Sequence, residues 1–412
     1  SYLCAAAYAQ NHVNDRHSMR KVLSFSLFLM LGLVASQLLP GALGASYAGF
    51  KAATDTLLYV CLGFIMINVG REFEIDKSRW RSYTADYFIA MATAALPWLL
   101  IALYYVFVLL PSDLWGSPAA WKENLLLSRF AAPTSAGILF TMLAALHLKQ
   151  SWIYRKIQVL AIFDDLDTIL LMIPLQIFMI GFKWQLFAVV IVITFLLVIG
   201  WKKLGTIRLS QTWKSILFYA VCIVAVTESI YLLTKWMMGA DGAIHIEVLL
   251  PAFVLGMVMK TVHQHGNRDE KITGMISYLF MFLVGLSTPQ FIGIDHGHRI
   301  TEAVGIIAAQ PMPSWEVLVV HVIVVTLLSN LGKMFPLFFY RDRQLEERLA
   351  LSVGMFTRGE VGAGIIVIAM GYNLGGPALI ISVLSLVLNL LLTGGFVVIV
   401  KRLAQQAYGL KE

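Results

Sequence analysis

Apolar residues run in stretches of about 20 along the whole chain, and polar residues gather in short segments between them. A helix needs about that many residues to cross roughly 30 Å of hydrocarbon. The pattern predicts an all-α membrane protein of about twelve transmembrane helices, near 22–40, 53–70, 85–110, 122–146, 157–181, 184–201, 213–234, 245–260, 273–293, 315–340, 349–371 and 376–400. Residues 1–21 and 401–412 then flank a membrane domain, 22–400. Composition agrees: 59% of the 412 residues are hydrophobic and 13% charged, against about 25% charged in an ordinary soluble domain.

Charge supplies the orientation. With twelve spans, the connecting segments alternate between the two sides, and cytoplasmic loops collect Lys and Arg. The N-terminus, the segments 71–81, 147–156, 202–214, 260–271 and 341–348, and the C-terminus hold 23 of the 31 basic residues, and the opposite set holds 5. Both termini are therefore expected in the cytoplasm. Arg129, Lys333 and Arg358 remain, inside spans. The basic residues are spread through loops, so the formal charge of +7 reads as topology and not as nucleic-acid binding. Cys4, Cys61 and Cys222 have no metal-ligand spacing and read as small apolar fillers. "SYLCAAAYAQNHVNDRHSMR" has no long apolar core before a cleavage site, which reads against a signal peptide, and without an initiating Met it reads as the start of a piece of a longer chain.

Two pairs of segments repeat a pattern in the two halves. "LGFIMINVGREFEID" (62–76) and "YLFMFLVGLSTPQFIGID" (278–295) run apolar to Val-Gly and then turn polar; "FAAPTSAGILF" (130–140) and "GMFTRGEVGAGIIV" (354–367) place polar residues with Gly or Pro in mid-span. Pro133 removes a backbone donor, and Gly359, Gly362 and Gly364 loosen the later span. Irregular backbone survives at membrane depth only where protein or a watery cavity satisfies it. Paired interrupted helices point to a transporter binding site.

The acids of "LAIFDDLDTILLMIPLQ" (160–176) lie in a run otherwise fit to cross a bilayer, where each costs roughly 2.5–3.5 kcal/mol. Asp164 is 8 residues beyond Lys156, and Lys333 is 8 residues before Arg341, so both sit ~12 Å from the cytoplasmic surface. A salt bridge is the natural expectation. Neighbouring helical residues point about 100° apart, so Asp165 faces elsewhere and is free for an ion. Adjacent acids resist double ionisation, which suits exchange of protons for cations. Hydroxyls and carbonyls around an unwound Thr134-Ser135 complete an oxygen shell for Na⁺. Asp167 reads equally as a third proton or cation group or as a hydrogen-bonded structural acid, and Arg129 has no partner that the sequence identifies.

"AIFDDL" after "APTSAG", with "LGKMFPLFF" (331–339) and a broken eleventh span, resembles the monovalent cation:proton antiporters with a paired-aspartate motif, over roughly 22–400. The resemblance implies two inverted-topology repeats with crossed discontinuous helices, a core (about 85–181 and 315–400), a dimerisation scaffold from the remaining helices, and alternating access as a homodimer in a bacterial inner membrane. It implies Asp165 as the principal cation and proton carboxylate, Asp164 as the partner of Lys333, and Thr134 and Ser135 beside the ion. Relatives with an Asp pair and this Lys tend to be electrogenic. Some relatives have Asp at the position of Ser135, so this shell holds one charge less. "FTRGEVG" resembles the Arg-Gly-Glu motif of a branch that includes glutathione-gated potassium efflux systems; Arg358 and Glu360 pair with each other or neutralise helix ends. Arg71 stands where that branch has Leu in "INVGREFEIDKSRW" (67–80).

The expected function is exchange of protons for a monovalent cation, Na⁺ before K⁺ or Li⁺. The alternatives are a Kef-like K⁺/H⁺ system and a sodium-coupled organic-anion symporter of similar build. No phosphate loop, metal spacing or nucleophile motif points to an enzyme or a cofactor. Glu228 reads as paired or snorkelling, His263 and His265 as solvated loop histidines, and the Trp residues near span ends as interfacial belts.

Overall fold

A computed structural model describes residues 24–71, 80–134, 151–180, 191, 195–196, 198–200, 202–203, 205–238, 248–260, 267–288, 305–372 and 374–408. The helices in chain order are α1 (Ser24–Leu43), α2 (Tyr47–Arg71), α3 (Trp80–Tyr104), α4 (Pro118–Ser128), α5 (Trp152–Ile180), α6 (Trp213–Met238), α7 (Leu249–Val258), α8 (Asn267–Leu286), α9 (Trp315–Gly332), α10 (Leu345–Gly354), α11 (Glu360–Gly371) and α12 (Gly376–Tyr408). Among the described residues, six helices are long and apolar enough to cross a membrane: α1, α2, α3 with the π-helical turn Tyr105–Leu109, α6, α9 with the 3-10 turn Phe335–Phe338, and α12. Strands are absent among the described residues, where a single parallel bridge joins Ile207 to Met259. The expected sixth span, 184–201, lies mostly outside the described residues. The tenth ends its α-helix at Gly332, eight residues short of the expected boundary, because Pro336 cannot continue the ladder and the chain tightens into a 3-10 turn.

The described residues form two compact units, one from Ser1–Leu31, Arg79–Met172 and Thr288–Glu412, the other from Gly32–Ser78 and Ile173–Ser287. In the second unit, α2 and α7 approach backbone to backbone. A Cβ at Gly70 would lie 2.1 Å from the Phe253 carbonyl oxygen, and one at Gly256 would lie 2.2 Å from that of Ile67. Without a hydrophobic drive between helices in lipid, such close packing is the main source of association. Arg71 ends α2 by donating to Asn68 Oδ1 at 3.0 Å and Gln211 Oε1 at 2.9 Å. It binds polar groups of its own unit, a role that Leu cannot fill.

The first unit buries polar residues beside its apolar ones. On α9, Val320, Ile323, Leu327 and Leu331 are exposed, whereas Thr326, Ser329 and Asn330 are buried. This inverts the pattern of a soluble protein, as expected where the solvent is lipid. Thr326 and Ser385 hydroxyls are 2.9 Å apart, and Asn389 Nδ2 donates to Asn330 Oδ1 at 2.9 Å, which ties α9 to α12. Pro97 lies inside α3, and a Cβ at Gly332 would come 2.4 Å from its nitrogen. Glycine there lets the end of α9 rest on α3, which brings the next residue, Lys333, into the core.

Candidate functional site

Two helices of the first unit break inside apolar stretches. After α4, capped at its start by Ser117 with Pro118 at the first turn, come a 3-10 turn, Arg129–Ala131, and non-helical backbone at 132–134. Residues 355–359 likewise separate α10 from α11. The two breaks meet. Thr134 Oγ1 donates to the Met355 carbonyl at 3.1 Å, and Arg358 Nη1 donates to the carbonyls of Pro133 at 3.4 Å and Met355 at 3.2 Å. A Cβ at Gly362 would lie 2.8 Å from the Phe130 carbonyl oxygen, so glycine lets α11 lie against the first break.

Broken helices leave carbonyl acceptors that carry partial negative charge, and in an apolar interior each needs a donor. Three buried cations lie here, and two of them, Lys333 and Arg358, supply such donors. Lys333, the residue that caps α9, places Nζ 2.7 Å from Asp164 Oδ2 on α5 and also donates to the Ala132 carbonyl; both side chains are 0% exposed. Arg358 adds a bond to the Ser329 carbonyl at 3.3 Å and so joins three segments. Arg129 donates to the main-chain carbonyl of Asp167 at 2.8 Å, and its guanidinium lies 4.4 Å from the centre of the Trp98 ring.

The site is not closed electrostatically. Asp164 Oδ1, Asp167 Oδ2, Thr168 Oγ1, Arg129 Nε and Nη1, and Arg358 Nε are buried without a hydrogen-bond partner among the described residues. The Tyr87 hydroxyl is the hydrogen-bond partner of the Asp167 carboxyl. Unused buried lone pairs and N–H groups beside irregular backbone are what water or a bare cation would satisfy.

Asp164, Asp167, Thr134, Lys333, Arg129 and Arg358 thus gather around the crossing. Asp165 lies on α5 and Glu360 begins α11, but their side chains, like Ser135 and the loop residues His263 and His265, fall outside the described residues. Glu228 is exposed on α6. Trp98 and Tyr87 escaped sequence reasoning because an aromatic residue in a membrane helix resembles any other apolar one. The adjacent Pro97 was the available signal for Trp98, since a kink marks a place where helices are shaped around something.

Residues 17–403 match the family model described as the transmembrane sodium/hydrogen exchanger. Among curated proteins nothing matches. A structure of the sodium proton antiporter MjNhaP1 from Methanocaldococcus jannaschii at pH 8 aligns with a TM-score of 0.55 at 12% identity, covering 95% of this chain and 99% of that one. An electron-microscopy structure of the same protein gives 0.50 at 14% identity, covering 94% and 92%. At such identities the likeness speaks for the fold. The family match over nearly the whole length, on a helical chain with broken helices and buried charges at their crossing, leads to one conclusion: this chain belongs to the transmembrane sodium/hydrogen exchanger family, and it is a multi-pass cation/proton antiporter.

Proposed function

We propose that the cation is Na⁺, that Na⁺ and protons compete for Asp165, and that Asp164 and Lys333 act as the coupled pair. The observation that carries this reading is the fully buried 2.7 Å contact between Lys333 and Asp164 beside two touching helix breaks. With Asp164 Oδ2 held by Lys333, the neighbouring carboxylate one residue on, about 100° around the helix, is left for the ion. Thr134 lies at the break, and it and the next residue in sequence, Ser135, supply hydroxyl and carbonyl oxygens. Facing the cytoplasm, Asp165 binds Na⁺; the core helices shift; outside, protons displace the cation, and the protonated core returns.

Arg358 serves the breaks, holding carbonyls of two of them, and Arg129 holds α5 through the Asp167 carbonyl. The protein works without a cofactor, as a homodimer in a bacterial inner membrane with both termini in the cytoplasm. It is a transporter and not an enzyme. In proteoliposomes, Asp165→Asn is expected to abolish pH-driven Na⁺ flux, and persistence of normal flux overturns the assignment. The Arg358-Gly359-Glu360 sequence favours a second reading, K⁺/H⁺ exchange; flux compared for Na⁺, Li⁺ and K⁺ separates the two.

A further inference from the structure

Two turns before Asp164 on α5, Lys156 donates to both carboxylate oxygens of Asp86 on α3, at 2.9 and 2.8 Å. The Tyr340 hydroxyl donates to Asp86 Oδ1 at 2.7 Å, and Lys156 Nζ lies 4.9 Å from the centre of the Tyr340 ring. Trp152 packs edge-on to that ring at 5.4 Å, and the Arg343 guanidinium stacks on Trp152 at 5.2 Å. Asp86 is 6% exposed. Tyr340 has φ of 53°, the only positive value at a non-glycine position among the described residues. Such backbone persists where the surroundings over-determine it, and here the phenol is held from α3 and α5 at once.

We propose that Asp86, Lys156 and Tyr340 form a positioning clamp for transport, which indexes α5 against the segment leaving α9 so that Asp164 faces Lys333. Lys333 has left the α-helical ladder of α9. The placement of its segment therefore depends on where the chain is next anchored, and that anchor is Tyr340. Lys156 precedes Asp164 by eight residues, ~12 Å along α5. Tyr340 follows Lys333 by seven residues, among them the 3-10 turn Phe335–Phe338, which rises ~2.0 Å per residue. The two contacts are thus rungs of similar spacing in sequence between the same two strips of chain. One rung fixes a distance; two also fix sliding and rotation. Ile157, Leu160 and Phe163 on α5 and Pro336 after α9, which lie between the rungs in sequence, are all buried. On α3, Asp86 serves the outer rung and the next residue, Tyr87, serves the Asp167 carboxyl.

The clamp rests on the reading of Asp164 and Lys333 as the coupled pair, so its test is run with and without Lys333. Apparent KM for Na⁺ and Vmax are measured in proteoliposomes for Lys156→Met, Tyr340→Phe and the exchanged pair Asp86→Lys with Lys156→Asp, each also in a Lys333→Ala background. Loss of the charge-assisted pair with Asp86 is expected to raise KM about tenfold in Lys156→Met, with Vmax within about twofold of the parent. The milder Tyr340→Phe, which removes one hydroxyl, is expected to raise KM about threefold, and the exchanged pair to recover most of the loss. In the Lys333→Ala background these changes disappear. Unchanged KM with a fall only in Vmax or in folded protein, or equal fold-changes in both backgrounds, overturns the clamp alone. A Lys333→Ala protein with the parent's KM and Vmax overturns the pair reading and the clamp with it.

Discussion

Lys333 and Asp164 are each 0% exposed and 2.7 Å apart, which makes their removal, singly and together, the sharpest perturbation available. A buried pair with one partner deleted leaves an uncompensated charge and costs about 3–5 kcal/mol, whereas replacing both by neutral groups of similar volume is often neutral or stabilising. Lys333→Met strands Asp164, whose Oδ1 already has no partner among the described residues. Asp164→Asn takes the carboxylate away from the ammonium, which also donates to the Ala132 carbonyl. At about 1 °C per kcal/mol for a chain of 412 residues, each single variant is expected to melt about 3–6 °C below the parent in detergent. The double variant is expected within about 1 °C of it. Fluorescence-detected thermal unfolding of the four proteins gives the coupling directly. A double variant as unstable as the sum of the singles refutes the reasoning, because the two charges would then not compensate each other in the folded protein. Membrane potential recorded during exchange extends the test: with one titrating pair removed, the double variant is expected to exchange with less charge moved per cycle.

Arg358→Lys keeps the charge but loses the fork that reaches the carbonyls of Pro133, Met355 and Ser329; a loss of about 2–4 kcal/mol in detergent stability is expected, and a variant as stable as the parent contradicts the carbonyl-holding role. Gly332→Val must push α9 from Pro97, whose nitrogen a Cβ would approach to 2.4 Å, so Na⁺-dependent exchange is expected to fall at least about tenfold in assays at equal protein, and parental flux would show that Lys333 does not depend on this contact. Gly70→Val meets the Phe253 carbonyl at 2.1 Å in the other unit; the yield of folded protein should drop, with the Na⁺ KM of the surviving fraction unchanged, because the clash is with α7 of the same unit and the substituted residue is remote in sequence from the paired aspartates.

Much of the site was legible because membrane burial is costly enough to make a charged residue conspicuous. Depth from the nearest basic loop residue paired Lys333 with Asp164 across 169 positions of sequence, since helical rise turns residue number into distance. The break at Pro133 was legible for the same kind of local reason: a missing N–H. Partners that are backbone atoms were not legible. Arg129 lies against the Asp167 carbonyl and the Trp98 ring, and Arg358 reaches Pro133 across 225 positions; a carbonyl has no residue type, so no spacing announces it.

The sequence by itself determined the membrane class, the approximate spans, the two interruptions and the set of charges that had to find company. These follow from hydrophobic length, charge cost and backbone chemistry, which act residue by residue. Only the tertiary structure decided that the interruptions touch, that Gly332 and Gly362 are close-approach positions, that Lys333 and Arg358 hold carbonyls of the broken backbone, and that Asp86, Lys156 and Tyr340 join a second rung to the first. The reason is that those facts are distances between segments far apart in the chain, fixed by the packing of all the helices of one unit at once.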